Sequence, residues 1–334
     1  MTLGWIFVIE SDITHKKKEQ VAYMKINSLW NEEYRPEMLD DCIIPDRIMS
    51  VLKGYVKKSD VPNLLFYGPA GCCKTTTAKA IVNTLDAEYL FINAADETGK
   101  GDILSKVVPF ATGISAYNPD VPKIIIMDEG DRLSPAAADS LKTYMELYSS
   151  NCRFIFTANT PSKIIKPIHS RCLCFDFNIQ GSEKPELMTK FLKACMKMLS
   201  DKNIVYDTKA LQLAIFKDFP DYRSIVNNLQ AYAIAHDCID EGIATFGEVE
   251  LVTPLYTFIK AKNFEGARKW LYESNYSQEE IFRALWKGLS QNVDTKLIPA
   301  CILILADYQS KADRAIIPQV NILACIIEMM NEGV

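Results

Sequence analysis

The residues of this chain best placed to do chemistry are Gly68-Pro69-Ala70-Gly71-Cys72-Cys73-Lys74-Thr75. Two glycines, a lysine and a hydroxyl at this spacing form a phosphate loop when a strand precedes them and a helix follows. Backbone N–H groups of such a loop wrap phosphate oxygens, and the helix dipole adds favourable potential. Lys74 reaches the β and γ oxygens, Thr76 continues the loop into the helix, and the Thr75 hydroxyl ligates Mg2+. A second group, Asp128-Glu129, follows the apolar run Ile124-Ile125-Ile126-Met127. There Asp128 holds the metal through water, and Glu129 polarises an attacking water as general base. Asn159, after Thr157-Ala158, supplies a polar side chain for the lytic water or the γ-phosphate. Together these groups imply hydrolysis of ATP, with Mg2+ as its companion ion. One position departs from the pattern. The residue before the lysine is normally glycine, which admits unusual dihedrals and a close backbone approach; here it is Cys73.

Elements of alternating type are needed to bring these groups together. Leu64–Tyr67, Tyr89–Asn93, Lys123–Met127, Arg153–Ala158 and Leu173–Phe177 read as strands. Thr76–Leu85, Ile103–Ala111 and Ala136–Leu147 have helical spacing, which predicts a parallel α/β sheet. After Gly181 the strands are expected to stop. Glu186–Leu199, Thr208–Phe216 and Tyr222–His236 read as helices. From about Phe246 the pattern is helical to the end, with apolar faces at Leu255–Ile259, Ile281–Leu289 and Ile298–Ala306. Turn residues cluster near Gly181–Pro185 and Cys238–Gly247. The expected domains are an extension (1–24), disordered or optional, an α/β nucleotide-binding domain (25–180), a small helical domain (181–242) and a C-terminal helical domain (243–334).

The 334 residues suffice for two or three such cores. A net charge of −5 argues against a broadly basic surface but leaves room for a few lysines and helix N-termini to hold a nucleic-acid backbone. The ten cysteines contain no CxxC pair and there are only three histidines, so a zinc site is not expected. The thiols suit a reduced, cytoplasmic protein. The apolar run Leu3–Ile9 is too short for a membrane span and lacks the basic lead of a signal peptide, so no membrane partner is expected.

At this point the ordered motifs resemble a family. Asp128-Glu129-Gly130-Asp131-Arg132-Leu133, Tyr148-Ser149-Ser150-Asn151-Cys152-Arg153-Phe154-Ile155, Thr157-Ala158-Asn159 and Ser170-Arg171-Cys172 look like AAA+ sliding-clamp-loader ATPases. Upstream, Leu29-Trp30-Asn31-Glu32-Glu33-Tyr34-Arg35-Pro36 resembles the start of their ATPase domain. Tyr148–Cys152, Ile164-Ile165-Lys166-Pro167 and Phe219-Pro220-Asp221-Tyr222-Arg223 look most like the large subunit of the T4-type phage clamp loader, itself similar to replication factor C small subunits. The resemblance implies an α/β P-loop (AAA+, ASCE) parallel sheet, a helical lid domain and an all-helical collar domain. It implies that Asn31, Glu32, Glu33, Tyr34 and Ile43 line the adenine and ribose end. Gly71, Cys72, Cys73, Lys74, Thr75 and Thr76 would hold the phosphates, with Thr75 and Asp128 on Mg2+. Asn159 matches the first sensor, Arg223 the second, and Arg171 an arginine finger that enters the neighbouring subunit's site.

The same resemblance implies a complex of several copies with a distinct small subunit, acting on a sliding clamp and primer–template DNA in the host cytoplasm of a phage. Asn93 is a candidate switch restraining Glu129. Lys100, Lys106 and Ser134 are candidate DNA contacts, although Leu104 stands where relatives carry an arginine. Cys73 keeps a second reading open, a subunit that binds nucleotide and serves as scaffold for active neighbours. A third is another AAA+ DNA remodeller; no insertion for pore loops or hairpins stands between the P-loop and Asp128.

Overall fold

The computed structural model describes residues 29–96, 99–113, 121–244, 246, 249–274 and 276–333, so the extension expected at 1–24 lies outside the described residues. The chain divides into two compact units after Ala244.

In chain order the first unit holds α1 (Trp30–Glu33), α2 (Asp46–Lys57), β1 (Leu64–Tyr67), α3 (Lys74–Leu85), β2 (Tyr89–Asn93), α4 (Lys100–Thr112) and β3 (Lys123–Asp128). It continues with α5 (Pro135–Leu147), β4 (Cys152–Ala158), α6 (Lys166–His169), β5 (Leu173–Asp176), α7 (Lys184–Asp201), β6 (Val205–Tyr206), α8 (Thr208–Asp218), α9 (Tyr222–His236) and β7 (Cys238–Ile239). The sheet is parallel with order β2-β3-β4-β1-β5. Its central strands are buried on both faces, as parallel strands between helices must be, and therefore read as continuous apolar runs. One face packs Leu64, Phe66, Ile124, Ile126 and Ile155 against α2 and α3. The other packs Leu65, Ile125, Met127, Phe154 and Phe156 against α4 and α5. Because β4 lies between β1 and β3, the loops after all three strands meet at one carboxyl edge, where open α/β sheets bind ligands.

Two expectations are corrected here. Strands do not stop at Gly181: β6 and β7 form a two-residue parallel pair among the later helices, too short for any period to betray it. The helix expected from Thr76 begins at Lys74, so Lys74 and Thr75 belong to its first turn.

The second unit is helical: α10 (Val249–Lys260), α11 (Phe264–Glu273), α12 (Gln278–Asn292), α13 (Ile298–Lys311) and α14 (Pro318–Asn331). Its core joins Tyr256, Leu271, Leu285, Cys301 and Ile326, among others. The helices α11 and α14 lie outside the apolar faces singled out from the sequence. Among the described residues no helix is long and apolar enough to cross a membrane.

Candidate nucleotide site

A cavity of about 650 Å³ opens at the carboxyl edge of the sheet, lined by residues 70–76 of the loop, by Asp128, Glu129, Thr157 and Asn159, and by side chains of α1, α7 and α9. The loop achieves its shape through left-handed backbone at Gly71 (φ +74°) and Cys73 (φ +68°, ψ 14°). Only glycine adopts this region freely. At Gly71 a Cβ would also stand 1.9 Å from Asp221 Oδ1, so the glycine is required twice over. Cys73 therefore carries the unusual dihedrals anticipated for its position, with a β-carbon attached.

Lys74 opens α3 beneath the loop, 8% exposed. Its ammonium donates to Gly68 O (2.9 Å), Pro69 O (2.6 Å) and Asn159 Oδ1 (2.9 Å). Burial lowers its pKa below the ordinary value, an effect opposed by Cys72 and by the carboxylates of Asp128 and Asp131. Thus Lys74 and Asn159, far apart in sequence, meet directly. Asp128 is equally well built. Its Oδ1 accepts from Thr75 Oγ1 at 2.6 Å and from Thr157 Oγ1 at 2.6 Å. The Thr157 hydroxyl also accepts from Glu129 N–H at 3.1 Å, so one buried threonine fixes both acidic positions. Glu129 sits at φ +51° and pairs with Arg132 at 2.8 Å. A left-handed non-glycine residue at a catalytic candidate is stored strain of the kind active sites hold.

Asn31, Tyr34 and Ile43 also line the cavity, joined by Trp30, Arg35, Phe191, Met198 and Tyr222. Glu32 and Glu33 do not line it. On a single helical turn they point outward: Glu32 pairs with Arg35, and Glu33 receives Lys202 at 2.7 Å. Trp30 N–H donates to Gln230 on α9 at 2.9 Å, which ties α1 to the lid helices. Arg223, in the first turn of α9 after the N-cap Asp221, lines the cavity and is exposed. Burial raises the thiol pKa at Cys72 and Cys73, and pushes Cys42 up to about 12, so these side chains stay protonated.

Arg171 is not in this cavity. Its guanidinium donates to Glu146 Oε1 (2.9 Å from Nε) and to Pro167 O (2.8 Å) outside it. Asn93 serves its own loop, donating to Asp96 and accepting from Ala95 N–H, with no bond to Glu129. Ser134 caps α5 through Ala137 N–H, Lys106 is exposed on α4, and the Lys100 side chain lies outside the described residues.

The donors fit a magnesium nucleotide. Thr75 Oγ1 and Asp128 Oδ1 are hard oxygen ligands that leave most coordination positions to phosphate and water. Within the cavity, Asn31 Oδ1 and the Tyr222 hydroxyl are buried without hydrogen-bond partners, and Glu129 Oε2 has only its ion pair with Arg132, as groups awaiting a ligand would be. Phosphate loop, acidic strand end and polar residue between them define a P-loop ATPase of the AAA+ class.

Comparison with known proteins narrows the class. Residues 64–180 match the ATPase family associated with various cellular activities (AAA), and residues 183–245 match the AAA+ ATPase lid domain of sliding-clamp-loader large subunits. The chain is 34% identical over 297 residues to the replication factor C small subunit of Aeropyrum pernix, spanning 85% of this chain and 88% of that one. It is also 34% identical over 246 residues to the sliding-clamp-loader large subunit of Escherichia phage RB69, 72% and 71% of the two chains. Among solved structures, RuvB of Thermotoga maritima shares the fold, with TM-score 0.51 at 15% identity over 80% of this chain and 91% of that one. The chain belongs to the family of sliding-clamp-loader ATPase subunits that includes the replication factor C small subunits, and it is an ATPase.

Proposed function

We propose that this protein is an ATPase subunit of a phage clamp loader, working in the host cytoplasm as several copies with a distinct small subunit. ATP binding closes the assembly, opens a sliding clamp and grips primer–template DNA; DNA contact then triggers hydrolysis and release. The observation that carries this reading is the joined pair of contacts in one cavity, Lys74 to Asn159 and Asp128 to both Thr75 and Thr157.

In the mechanism, the loop N–H groups and Lys74 hold the β- and γ-phosphates. Thr75 and Asp128 would hold magnesium, which when bound would supply positive charge to offset the charge developing on the phosphates. Glu129 leaves Arg132 to accept a proton from the attacking water, and Asn159 positions that water between Lys74 and the carboxylate. The γ-phosphoryl group passes to water with no covalent intermediate. Arg223 reports the γ-phosphate to the lid helices. Arg171 acts on the neighbouring subunit, a role supported by its position outside its own cavity. A guanidinium supplied in trans makes hydrolysis depend on assembly. Placing Asp128, Glu129 and Asn159 around a formed loop favours hydrolysis over the scaffold reading, despite Cys73.

The test is retention of the clamp on circular primed DNA by the reconstituted complex. ATP-dependent retention that is lost with Lys74→Ala is expected; retention independent of ATP, or none with an active ATPase, contradicts the proposal.

A further inference from the structure

Asp131 is a charged side chain beside the reacting groups to which the hydrolysis scheme gives no task. It stands in the single 3₁₀ turn Gly130–Arg132 that follows Asp128 and Glu129. It is not part of the cavity wall. Its Oδ2 accepts the Thr160 N–H at 3.1 Å, and its Oδ1 is buried with no hydrogen-bond partner. A buried carboxylate oxygen without a donor is costly, and one backbone N–H could be satisfied more cheaply by a neutral acceptor. What that N–H belongs to is therefore the question.

Thr160 is the residue after Asn159. The Asn159 side chain is exposed at the end of β4, and among the described residues its one hydrogen bond is to Lys74 at 2.9 Å. Lys74 turns to the phosphates when nucleotide binds, so that contact is shared or lost just when Asn159 has to place a water. The bond from Thr160 to Asp131 does not depend on the phosphates and remains. It is also half of a reciprocal pair. Glu129 N–H, on the β3 side, donates to Thr157 Oγ1 of β4 at 3.1 Å, while Thr160 N–H, on the β4 side, donates to Asp131. Each segment's backbone is held by the other's side chain, and the two bridges flank Asn159. Gly130 permits the close approach, because a β-carbon there would stand 3.3 Å from Thr157 O and 3.4 Å from Phe156 Cδ1.

We propose that Asp131 is a positioning residue for ATP hydrolysis: its carboxylate holds the Thr160 N–H and so fixes Asn159 relative to Glu129 across the ends of β4 and β3. The proposal rests on the reading of Glu129 and Asn159 as the groups that address the attacking water. It separates turnover from nucleotide binding. Asp131 lies outside the cavity and carries negative charge, so its removal takes no attraction away from a triphosphate.

The test is a double-mutant cycle of Asp131→Ala and Asn159→Ala. Each chain is assembled into the complex with clamp and primed DNA, hydrolysis is followed at saturating ATP, and ATP affinity is measured by calorimetry. Asp131→Ala should lower turnover about tenfold to a hundredfold, the scale of a misplacement of about 1 Å. ATP affinity should hold or rise. In the Asn159→Ala background the same substitution should cost nothing further. Asp131→Asn, which keeps an acceptor without the charge, should lose less than alanine and fall silent in the same background; it carries the cycle if the alanine chain does not assemble. Unchanged turnover, weaker ATP binding, or losses that multiply across the cycle overturn the proposal. If Asn159→Ala itself hydrolyses ATP at the wild-type rate, the reading of Asn159 fails and the proposal with it, a result distinct from a slow Asn159→Ala beside an unaffected Asp131→Ala.

Discussion

Replacing Cys73 by glycine and by alanine in parallel isolates the backbone term at the phosphate loop. Cys73 holds φ +68°, ψ 14°, a conformation that costs a residue bearing a β-carbon roughly 1–2 kcal/mol. Glycine removes that cost but gives the unfolded chain extra freedom, worth roughly 0.5–1 kcal/mol against the fold. Alanine retains the strain. Both variants lose the sulfur that packs against the core around α3, so that loss cancels in the comparison. The β-carbon's own packing, at a partly buried site, subtracts a few tenths of a kcal/mol more from glycine (a fraction of the ~0.8 kcal/mol per buried methylene). The glycine variant should therefore be the more stable by about 0.5 kcal/mol, whereas in a helix interior alanine wins by about 1 kcal/mol. The sign is the readout. Urea unfolding followed by far-ultraviolet circular dichroism measures it, and ATP titration should show glycine binding at least as tightly as wild type. An alanine variant as stable as, or more stable than, the glycine variant refutes the claim that this backbone is strained.

Other consequences are equally concrete. Thr157→Val keeps the shape but strips Asp128 of one donor and orphans Glu129 N–H; we expect a loss of about 1–3 kcal/mol in unfolding free energy and a turnover loss of about tenfold, read by melts and steady-state kinetics. Arg171→Ala should leave ATP affinity unchanged, because the side chain lies outside its own cavity, while hydrolysis by the assembly falls about 10³-fold. Lys74 has a pKa lowered by burial, so free Lys74 loses its proton at a lower pH than an exposed lysine. Triphosphate favours the charged form, and binding between the lowered pKa and 10.5 should take up protons. Calorimetry in buffers of different ionisation enthalpy detects the uptake; proton release there contradicts the assignment.

The parts of the site read directly from sequence are those whose position is set locally. A loop between β1 and α3, and carboxylates at the end of an all-apolar strand, need only a strand and a helix in the right order, and both follow from hydropathy. The sheet order then brings Asn159 to Lys74, because β4 lies between the other two strands. What failed or was missed depends on tertiary packing. Glu32 and Glu33 stand between Asn31 and Tyr34 in sequence, yet successive residues on a helical turn point apart, and only Asn31 and Tyr34 reach the cavity. Phe191, Met198 and Tyr222 come from α7 and α9, whose periodicity shows an apolar face without showing that part of it is a ligand wall. Thr157 was visible only as a strand residue; its double role exists because β3 and β4 are neighbours in register. A signal for it was present, since a polar residue in a strand otherwise buried must be paid for by partners.

The most direct test of the central claim is single-turnover ATP hydrolysis by the assembled complex, with and without clamp and primed DNA. A site completed by a neighbour's Arg171 and armed by Glu129 predicts a burst strongly stimulated by clamp and DNA, abolished by Glu129→Gln and by Arg171→Ala alike. Equal rates with and without clamp and DNA, restored to stimulation by Cys73→Gly, would contradict it and establish the chain as a nucleotide-holding scaffold.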